Sequence, residues 1–169
     1  MTQLPSFTAE CSACAALCCV AMAFDRGEEF AIDKPARTPC PNLTADFSCS
    51  IHHALESKGF GGCARYDCLG AGQRVTQDLF FGRNWRDDPA LLAPMATAFA
   101  ALRQVHRDLE LLLAARSLPL PADLAATRAA LITAYAPPGG WTPASLDRFA
   151  ASDLPRRTKA LLRALRAHV

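Results

Sequence analysis

The sequence predicts a mainly α-helical protein in which a loop-rich, cysteine-rich N-terminal half packs on an antiparallel C-terminal helical bundle. All eight cysteines lie between residues 11 and 68, in a stretch that glycine and proline interrupt repeatedly. From residue 87 onward, apolar residues recur at helical spacing between short Pro-rich turns. We therefore divide the chain into a cysteine-rich region, residues 1–86, and a helical bundle region, residues 87–169.

Composition limits the classes of protein to consider. With 169 residues, 51% of them hydrophobic, the chain can bury one core, or one core with a smaller module, without disulfides. A net charge of +2 is too small to indicate nucleic acid or a membrane surface as the main partner. The first ten residues lack the basic start and apolar run of a signal peptide, so we expect a cytoplasmic protein.

The cysteine run CSACAALCC at residues 11–19 is the densest chemical feature. As an α-helix, at about 100° per residue, it would place Cys11, Cys14 and Cys18 on one arc and turn Cys19 away. Three sulfurs facing a common point do not complete a zinc site or a cubane iron–sulfur cluster, which normally take about four protein ligands. The remaining ligands are expected downstream, from Cys40, Cys49, Cys63 and Cys68.

Eight thiols in a reducing compartment indicate ligands before disulfides. The even count is the best argument for disulfides, but the adjacent Cys18 and Cys19 would then need two separate bridges. One or two cysteines, Cys19 above all, could instead be small buried apolar side chains. That alternative does not explain why all the cysteines end at Cys68.

The segments between the cysteines are predicted to be loops with little regular structure. Residues 25–43 contain one glycine and three prolines, and FAI at residues 30–32 is their one strand candidate. Cys40 lies between two prolines, so an extended loop should present its thiol. Residues 50–60 have a short helical pattern that Gly59 should cap, and the following glycines predict a tight turn before Cys63.

Three histidines have two possible roles each. His52 or His53 could complete a Cys/His site, because imidazole binds zinc and can replace thiolate on iron. Since they are adjacent, only one could serve, and the preferred interpretation for both is polar surface. His106 lies on an apolar helix face without a cysteine nearby in sequence, and we expect a hydrogen-bonded core histidine there.

The second half is predicted to contain four helices. Asp87 or Asp88 before Pro89 should start the first, whose apolar seam recurs at spacings of 4, 3, 4, 3 and 4: Met95, Phe99, Leu102, His106, Leu109 and Leu113. The others are predicted from Pro121 to Ala136, from Thr142-Pro143, and from about Leu154, with Leu161, Leu162 and Leu165 on one side.

The last helix carries five basic residues and no acidic residue from Leu154 onward. Such a face could dock on an acidic or phosphate-bearing partner. The preferred interpretation is a solvated face whose late cations suit the C-terminal end of the helix dipole. The five residues are Arg156, Arg157, Lys159, Arg163 and Arg166.

Four cysteine segments occur in an order typical of a known family. They are CSACAALCC, PCPNL, CSIH and GGCARYDC, within residues 8–85. This series resembles the YkgJ-like cysteine-cluster family of zinc- or iron-chelating proteins, which includes flagellin lysine N-methylases associated with an iron–sulfur cluster. The resemblance implies metal chelation, although it does not supply a reaction. It places as ligands Cys11, Cys14, Cys18, Cys19, Cys40, Cys49 and Cys63, while Cys68 matches a subset of relatives.

The elements FAIDK, IH and GAGQ further resemble the leading domain of some bacterial pentapeptide-repeat proteins. The chain departs from those proteins because a single ADLAA at residues 122–126 stands without a repeat, so no β-helix is expected. It also has three residues between Cys14 and Cys18 where the commoner pattern has two, and His52 where many relatives have tyrosine.

All-sulfur ligation selects iron–sulfur, zinc or Cu(I) over calcium, magnesium or manganese. Because eight thiols exceed one tetrahedral site, we expect either two sites or a polynuclear centre, and an iron–sulfur cluster is preferred over Zn²⁺, with Cu⁺ third. Two classes of function stay open. One is a redox or enzymatic role at the cluster, and the other is a structural metal module that acts through a protein partner. The sequence does not identify the partner, which could be a protein or a small molecule.

Overall fold

The computed structural model describes residues 4–168 and confirms the predicted fold class. Within this range there is no β-strand, only two isolated antiparallel bridges, between Phe24 and Lys34 and between Leu43 and Cys49. The helices are α1 (Leu17–Ala21), α2 (Gly61–Ala64), α3 (Ala71–Arg74), α4 (Leu92–Ala114), α5 (Ala122–Tyr135), α6 (Pro143–Ala150) and α7 (Leu154–Ala164). A π-helical segment (Val75–Leu79) continues α3. No helix in the described range has the length and apolar character that crossing a lipid bilayer demands.

Helix α4 begins where the sequence predicts a helix start. The Asp88 carboxylate accepts a hydrogen bond of 3.1 Å from the amide of Ala90, and Pro89 occupies the first position of a 3₁₀ turn that leads into α4. Most of the predicted seam is buried, with Met95 and Leu109 fully inaccessible. At the last seam position Leu112 is buried and Leu113 only half-buried, because the straight helix drifts away from the 3-4 spacing.

The other three long helices pack around α4. Helix α5 runs antiparallel to α4, since the Arg128 guanidinium donates to the Ala115 carbonyl just past α4, while Tyr135 at the end of α5 reaches back to Asp108. Thr142 caps α6 through a capping box with Ser145. On α7, Leu161 and Leu165 are buried and Leu162 is half-buried.

A buried polar network ties three helices of the bundle together. Tyr135 on α5 donates a hydrogen bond of 3.0 Å to the Asp108 carboxylate on α4, and Thr158 on α7 donates one of 3.1 Å to the Tyr135 hydroxyl. All three residues are at most 5% exposed. Burial, the largest influence, raises the pKa of Tyr135 above its usual range, so the hydroxyl stays protonated as a donor.

Replacing Tyr135 with phenylalanine should lower the free energy of unfolding by about 2–3 kcal/mol, because Asp108 and Thr158 would lose buried hydrogen-bond partners. Urea denaturation measures this change. The control is Thr133→Val on the same helix, which removes an exposed hydroxyl and should cost less than about 0.5 kcal/mol. Equal stability of the two variants would contradict a stabilising network.

One hydrophobic core takes residues from both halves of the chain. Leu17 and Val20 of α1, Val75 of the π-helical segment and Trp85 join the buried seam of α4. Helices α1 and α3 both pack directly on α4, so the loop-rich half rests on the bundle as predicted. This core includes residues on both sides of the predicted boundary between residues 86 and 87. The division of the chain into two regions stays a prediction.

The predicted continuous helix over residues 11–19 is wrong. Cys11–Ala13 forms a single 3₁₀ turn, Cys14 is extended, Ala16 is left-handed with φ of 51°, and α1 begins only at Leu17. Tertiary contacts set this path. The amide of Ala15 donates to the Thr76 hydroxyl over 3.0 Å, and its carbonyl accepts from the Trp85 indole over 2.7 Å. Side chains distant in sequence therefore hydrogen-bond to the amide and carbonyl of Ala15, which a continuous helix would pair with its own backbone.

Three other local predictions also need correction. Residues 30–32 form no strand, because the bridge between Phe24 and Lys34 is not extended by further pairing. Residues 50–60 contain only the 3₁₀ turn His52–Ala54 followed by turns, although Gly59 has the predicted positive φ, at 78°. Cys63 lies within α2 rather than after a tight turn.

Candidate metal centre

All eight cysteines have free thiols in the structure, which gives no support to the disulfide alternative. Cys11 and Cys63 are exposed, and the other six are half-buried. The first four cysteines lie on the 3₁₀ turn, at the extended residue 14 and on α1. The other four lie in loops and short helices. The bundle region supplies none.

A first thiol group consists of Cys11, Cys14, Cys18 and Cys68. Burial, with smaller contributions from the neighbouring Cys18 and Cys68, raises the pKa of Cys14 to about 11. Burial and the same two neighbours also raise the pKa of Cys11. A methyl group placed on Gly72 of α3 would lie 2.6 Å from the Cys14 sulfur and 3.9 Å from the Cys68 sulfur. Both sulfurs therefore face the same bare stretch of helix.

A second thiol group consists of Cys18, Cys19, Cys40, Cys49 and Cys63. Burial, followed by the nearby Cys18, Cys40 and Cys49, raises the pKa of Cys63. The amide of Cys40 donates to the carbonyl of Cys19 over 3.0 Å, which fixes the proline-flanked loop beside α1. The bridge between Leu43 and Cys49 holds the next loop close to it.

Cys18 belongs to both groups. Its sulfur lies 3.9 Å from that of Cys19, so Cys19 does not turn away from Cys18 as the helical arc predicted. The contact with Cys19 and burial, in that order, strongly raise the pKa of Cys18. The sharing of Cys18 brings thiols from residue 11 to residue 68 into one neighbourhood.

A buried lysine stands beside the second group. Lys34 is only 3% exposed, and its ammonium donates to the carbonyls of Val20, Pro35 and Thr38 over 3.4, 3.2 and 2.9 Å. Burial lowers the pKa of Lys34, while Cys40, Cys19, Cys18 and Cys63 act in the opposite direction. No carboxylate in the described part of the chain pairs with Lys34. The neighbouring thiols are therefore the groups whose negative charge this cation can balance.

The thiols are neighbours but do not form a ready coordination sphere. Among residues 4–168, no three His, Cys, Asp or Glu side chains are close enough together to hold a metal ion. The donor set itself fits a soft metal, because thiolates are the ligands that iron–sulfur clusters, zinc and Cu(I) prefer. Binding would require the sulfurs to move together, as is common where metal binding and local folding are coupled.

The histidines occupy different surroundings. His52 and His53 are exposed and line a cleft of about 470 Å³ together with Cys63 and Tyr66. His106 is 2% exposed, and its Nδ1–H donates to the carbonyl of Leu69 over 2.6 Å, which fixes the tautomer. Burial lowers the pKa of His106, so this residue is the hydrogen-bonded core histidine that the sequence predicted.

Sequence reasoning missed Lys34 and Gly72 as parts of this region. It also missed Tyr66, which lines the cleft, and Arg103, whose guanidinium covers the Tyr66 ring. Lys34 and Gly72 lie in the FAIDK and GAGQ elements, which carried part of the family resemblance and could have pointed to them. Tyr66 lies between Cys63 and Cys68, but tyrosine in a loop is a weak signal by itself. Arg103, on the seam helix, gave no signal in the sequence.

These features define the class of the chain as a mainly helical protein whose eight free thiols all lie in the loop-rich half that packs on the bundle. Comparison with known proteins finds no family model and no solved structure that matches. One relative is Uncharacterized protein YybG of Bacillus subtilis (strain 168), 43% identical over 102 residues. The match covers 60% of this chain and 37% of the relative, so this chain spans well under half of that protein. The resemblance to the YkgJ-like family stays a prediction.

Proposed function

We propose that this protein binds metal through cysteine thiolates and carries an iron–sulfur cluster with a redox or enzymatic role. The observation that supports the proposal best is the position of Cys18, whose thiol neighbours both groups and so links the other cysteines into one donor set. A bound cluster would supply one-electron transfer or a Lewis-acidic iron. We extend the proposal to membership in the YkgJ-like cysteine-cluster family and to a reducing, cytoplasmic location.

The number and charge of the donors favour a polynuclear centre. One group has five thiols and the other has four, with Cys18 in common. The eight thiols together exceed the four ligands of a single zinc ion. A centre with several thiolates is anionic, and Lys34 provides a buried positive charge beside it that no carboxylate among residues 4–168 pairs with. Such a cation stabilises the thiolate form of its neighbours.

The second candidate is a structural Zn²⁺ module, or a Cu⁺ one, that acts through a protein partner. Its support is that the cysteine segments join loops to α1, which packs on α4, so a metal would fasten these loops to the bundle. The basic face of α7 could meet an acidic partner protein. Arg156 and Arg157 approach Asp153 only at 3.9 and 4.0 Å and remain largely exposed.

Metal analysis of protein purified without oxygen tests the proposal and separates the candidates. Iron with inorganic sulfide and a brown absorbance would support the cluster. Colourless protein with about one or two zinc ions per chain would support the structural module. Protein that contains no metal, and takes up neither iron with sulfide, nor Zn²⁺, nor Cu⁺, would contradict both.

Cys14→Ser and Cys49→Ser, which remove one thiol from each group, should each lower the bound metal and destabilise the N-terminal half. A metal site that loses a ligand binds weakly, and its contribution to folding is lost with it. Metal content per chain and thermal unfolding measure the two effects. Ser57→Ala, an exposed change in the same half, is the control and should leave both unchanged. Unchanged metal in both cysteine variants would contradict the ligand assignment.

A further inference from the structure

Two buried hydrogen-bond donors in the described part of the chain lack a partner. They are the hydroxyl of Tyr66 and Nε of Arg103. Buried polar groups in folded proteins are nearly always hydrogen-bonded, so an unpartnered donor calls for an explanation, which an unseen ligand can provide. One of these donors lies in the loop before α3 and the other on α4. Two unpartnered donors on separate elements are harder to explain as a chance packing defect than one.

The two donors are neighbours. The guanidinium carbon of Arg103 lies 4.9 Å from the centre of the Tyr66 ring, so the cation covers the ring face. The two groups therefore form one surface, with a positive charge above an aromatic ring. The hydroxyl and Nε are both removed from solvent.

This surface lies beside Cys68 of the first thiol group. Tyr66 is two residues before Cys68, and the next residue, Leu69, accepts a hydrogen bond of 2.6 Å from His106, which lies one turn after Arg103 on α4. Cys18 lies on α1, which packs directly on the helix that carries Arg103. The side chains of Cys14, Cys18, Tyr66 and Cys68 all pack, partly buried, against the same core.

An acceptor between these thiols and the two donors would supply the missing partner. Both donors would satisfy a sulfur with negative charge, such as a metal-bound thiolate or inorganic sulfide, and Arg103 would balance part of that charge. In the described part of the chain no carboxylate forms an ion pair with Arg103.

We propose that Tyr66 and Arg103 are positioning residues that donate hydrogen bonds to the sulfurs of a metal–thiolate centre held by Cys14, Cys18 and Cys68. This inference rests on the proposed function and deepens it. It assigns one centre to the first thiol group and locates that centre between α1, α3 and α4. The bare face of Gly72 leaves room for the Cys14 and Cys68 sulfurs at this place.

The test uses the full chain and two probes, Co²⁺ alone and iron with sulfide added without oxygen. The variants are Tyr66→Phe, which deletes the hydroxyl, and Arg103→Lys, which keeps the charge but deletes Nε. Each should bind Co²⁺ about 10-fold to 100-fold more weakly than wild type and shift the thiolate-to-cobalt absorption bands. In the iron form, Tyr66→Phe should move the midpoint potential to a more negative value, because a hydrogen bond to sulfur favours the reduced state.

Tyr135→Phe is the matched control, since Tyr135 is the other tyrosine of the chain and lies in the cysteine-free bundle. It should destabilise the fold yet leave the Co²⁺ affinity and spectrum unchanged. Circular dichroism verifies that each variant is folded before metal is added. A loss of Co²⁺ affinity in folded Tyr66→Phe but not in folded Tyr135→Phe would therefore support a direct role.

The outcomes separate this inference from the proposed function. If wild type and both variants bind Co²⁺ with equal affinity and identical bands, the two donors hold only water and the inference is overturned, while metal binding stands. If wild type binds neither Co²⁺ nor iron with sulfide, both proposals fail. Wild-type affinity in Cys68→Ser, with lost affinity in Cys40→Ser, would overturn the assignment of the centre to the first thiol group.

Discussion

Replacing Lys34 with methionine is expected to lower the free energy of unfolding by about 3–5 kcal/mol. The ammonium satisfies three backbone carbonyls, and methionine, which has a similar length, would leave them buried without a donor. The aromatic contact would be lost as well, since the Lys34 ammonium lies 5.4 Å from the centre of the Phe24 ring. Urea denaturation of metal-free protein measures this loss without any contribution from the thiols as ligands.

The same change should also weaken metal binding. Without Lys34, the proposed polynuclear centre would lose the buried cation that stands beside its second thiol group. The matched control is Lys58→Met, which removes an exposed ammonium from the same half of the chain and should change neither stability nor metal content. If the Lys34 variant behaved like the Lys58 variant in both measurements, the lysine would be neither a support of the loop nor a charge partner.

Replacing Gly72 with alanine is expected to reduce metal affinity about tenfold or more, although it touches no donor atom. The added carbon would lie 2.6 Å from the Cys14 sulfur, which is closer than non-bonded atoms approach. The Cys14 sulfur would have to rotate out of its present position. Equilibrium titration with Co²⁺ or Zn²⁺ measures the change in affinity.

The fold should tolerate this substitution better than the site does. Alanine is favoured over glycine inside a helix by up to about 1 kcal/mol, which offsets part of the cost of moving the Cys14 side chain. The control is Gly27→Ala, because a carbon added there meets nothing within 4 Å. Wild-type metal affinity in the Gly72 variant would show that Cys14 is not a ligand.

The helices of the second half could be predicted because their signals are local. The Asp88-Pro89 start, the capping box at Thr142 and the proline turn after α5 each act within a few residues, and the seam of α4 repeats at helical spacing. These signals remain valid whatever the rest of the chain does. For the same reason, the burial of His106 followed from its place on the seam.

The path of the cysteine run could not be predicted in this way. Its backbone follows contacts with Thr76 and Trp85, whose nearness to Ala15 no local pattern reveals. Lys34 was equally hidden, since lysine is almost never fully buried and its three carbonyl partners come from α1 and from the loop after Lys34. What the sequence did allow was the donor chemistry, because residue type alone makes thiolates soft ligands.

The anchoring of Ala15 sets an order of events during synthesis. Its two hydrogen bonds close loops of 61 and 70 residues, so both can be present only after the chain as far as Trp85 has left the ribosome. Loops of this length also close late in folding. The chain loses conformational entropy on loop closure before the contacts between its distant ends can compensate for that loss. The first four cysteines therefore stay open to solvent and oxidants while the other four are being made. On the proposed function, metal would enter only after translation of the cysteine-rich half, when the bundle gives this half a surface to pack against.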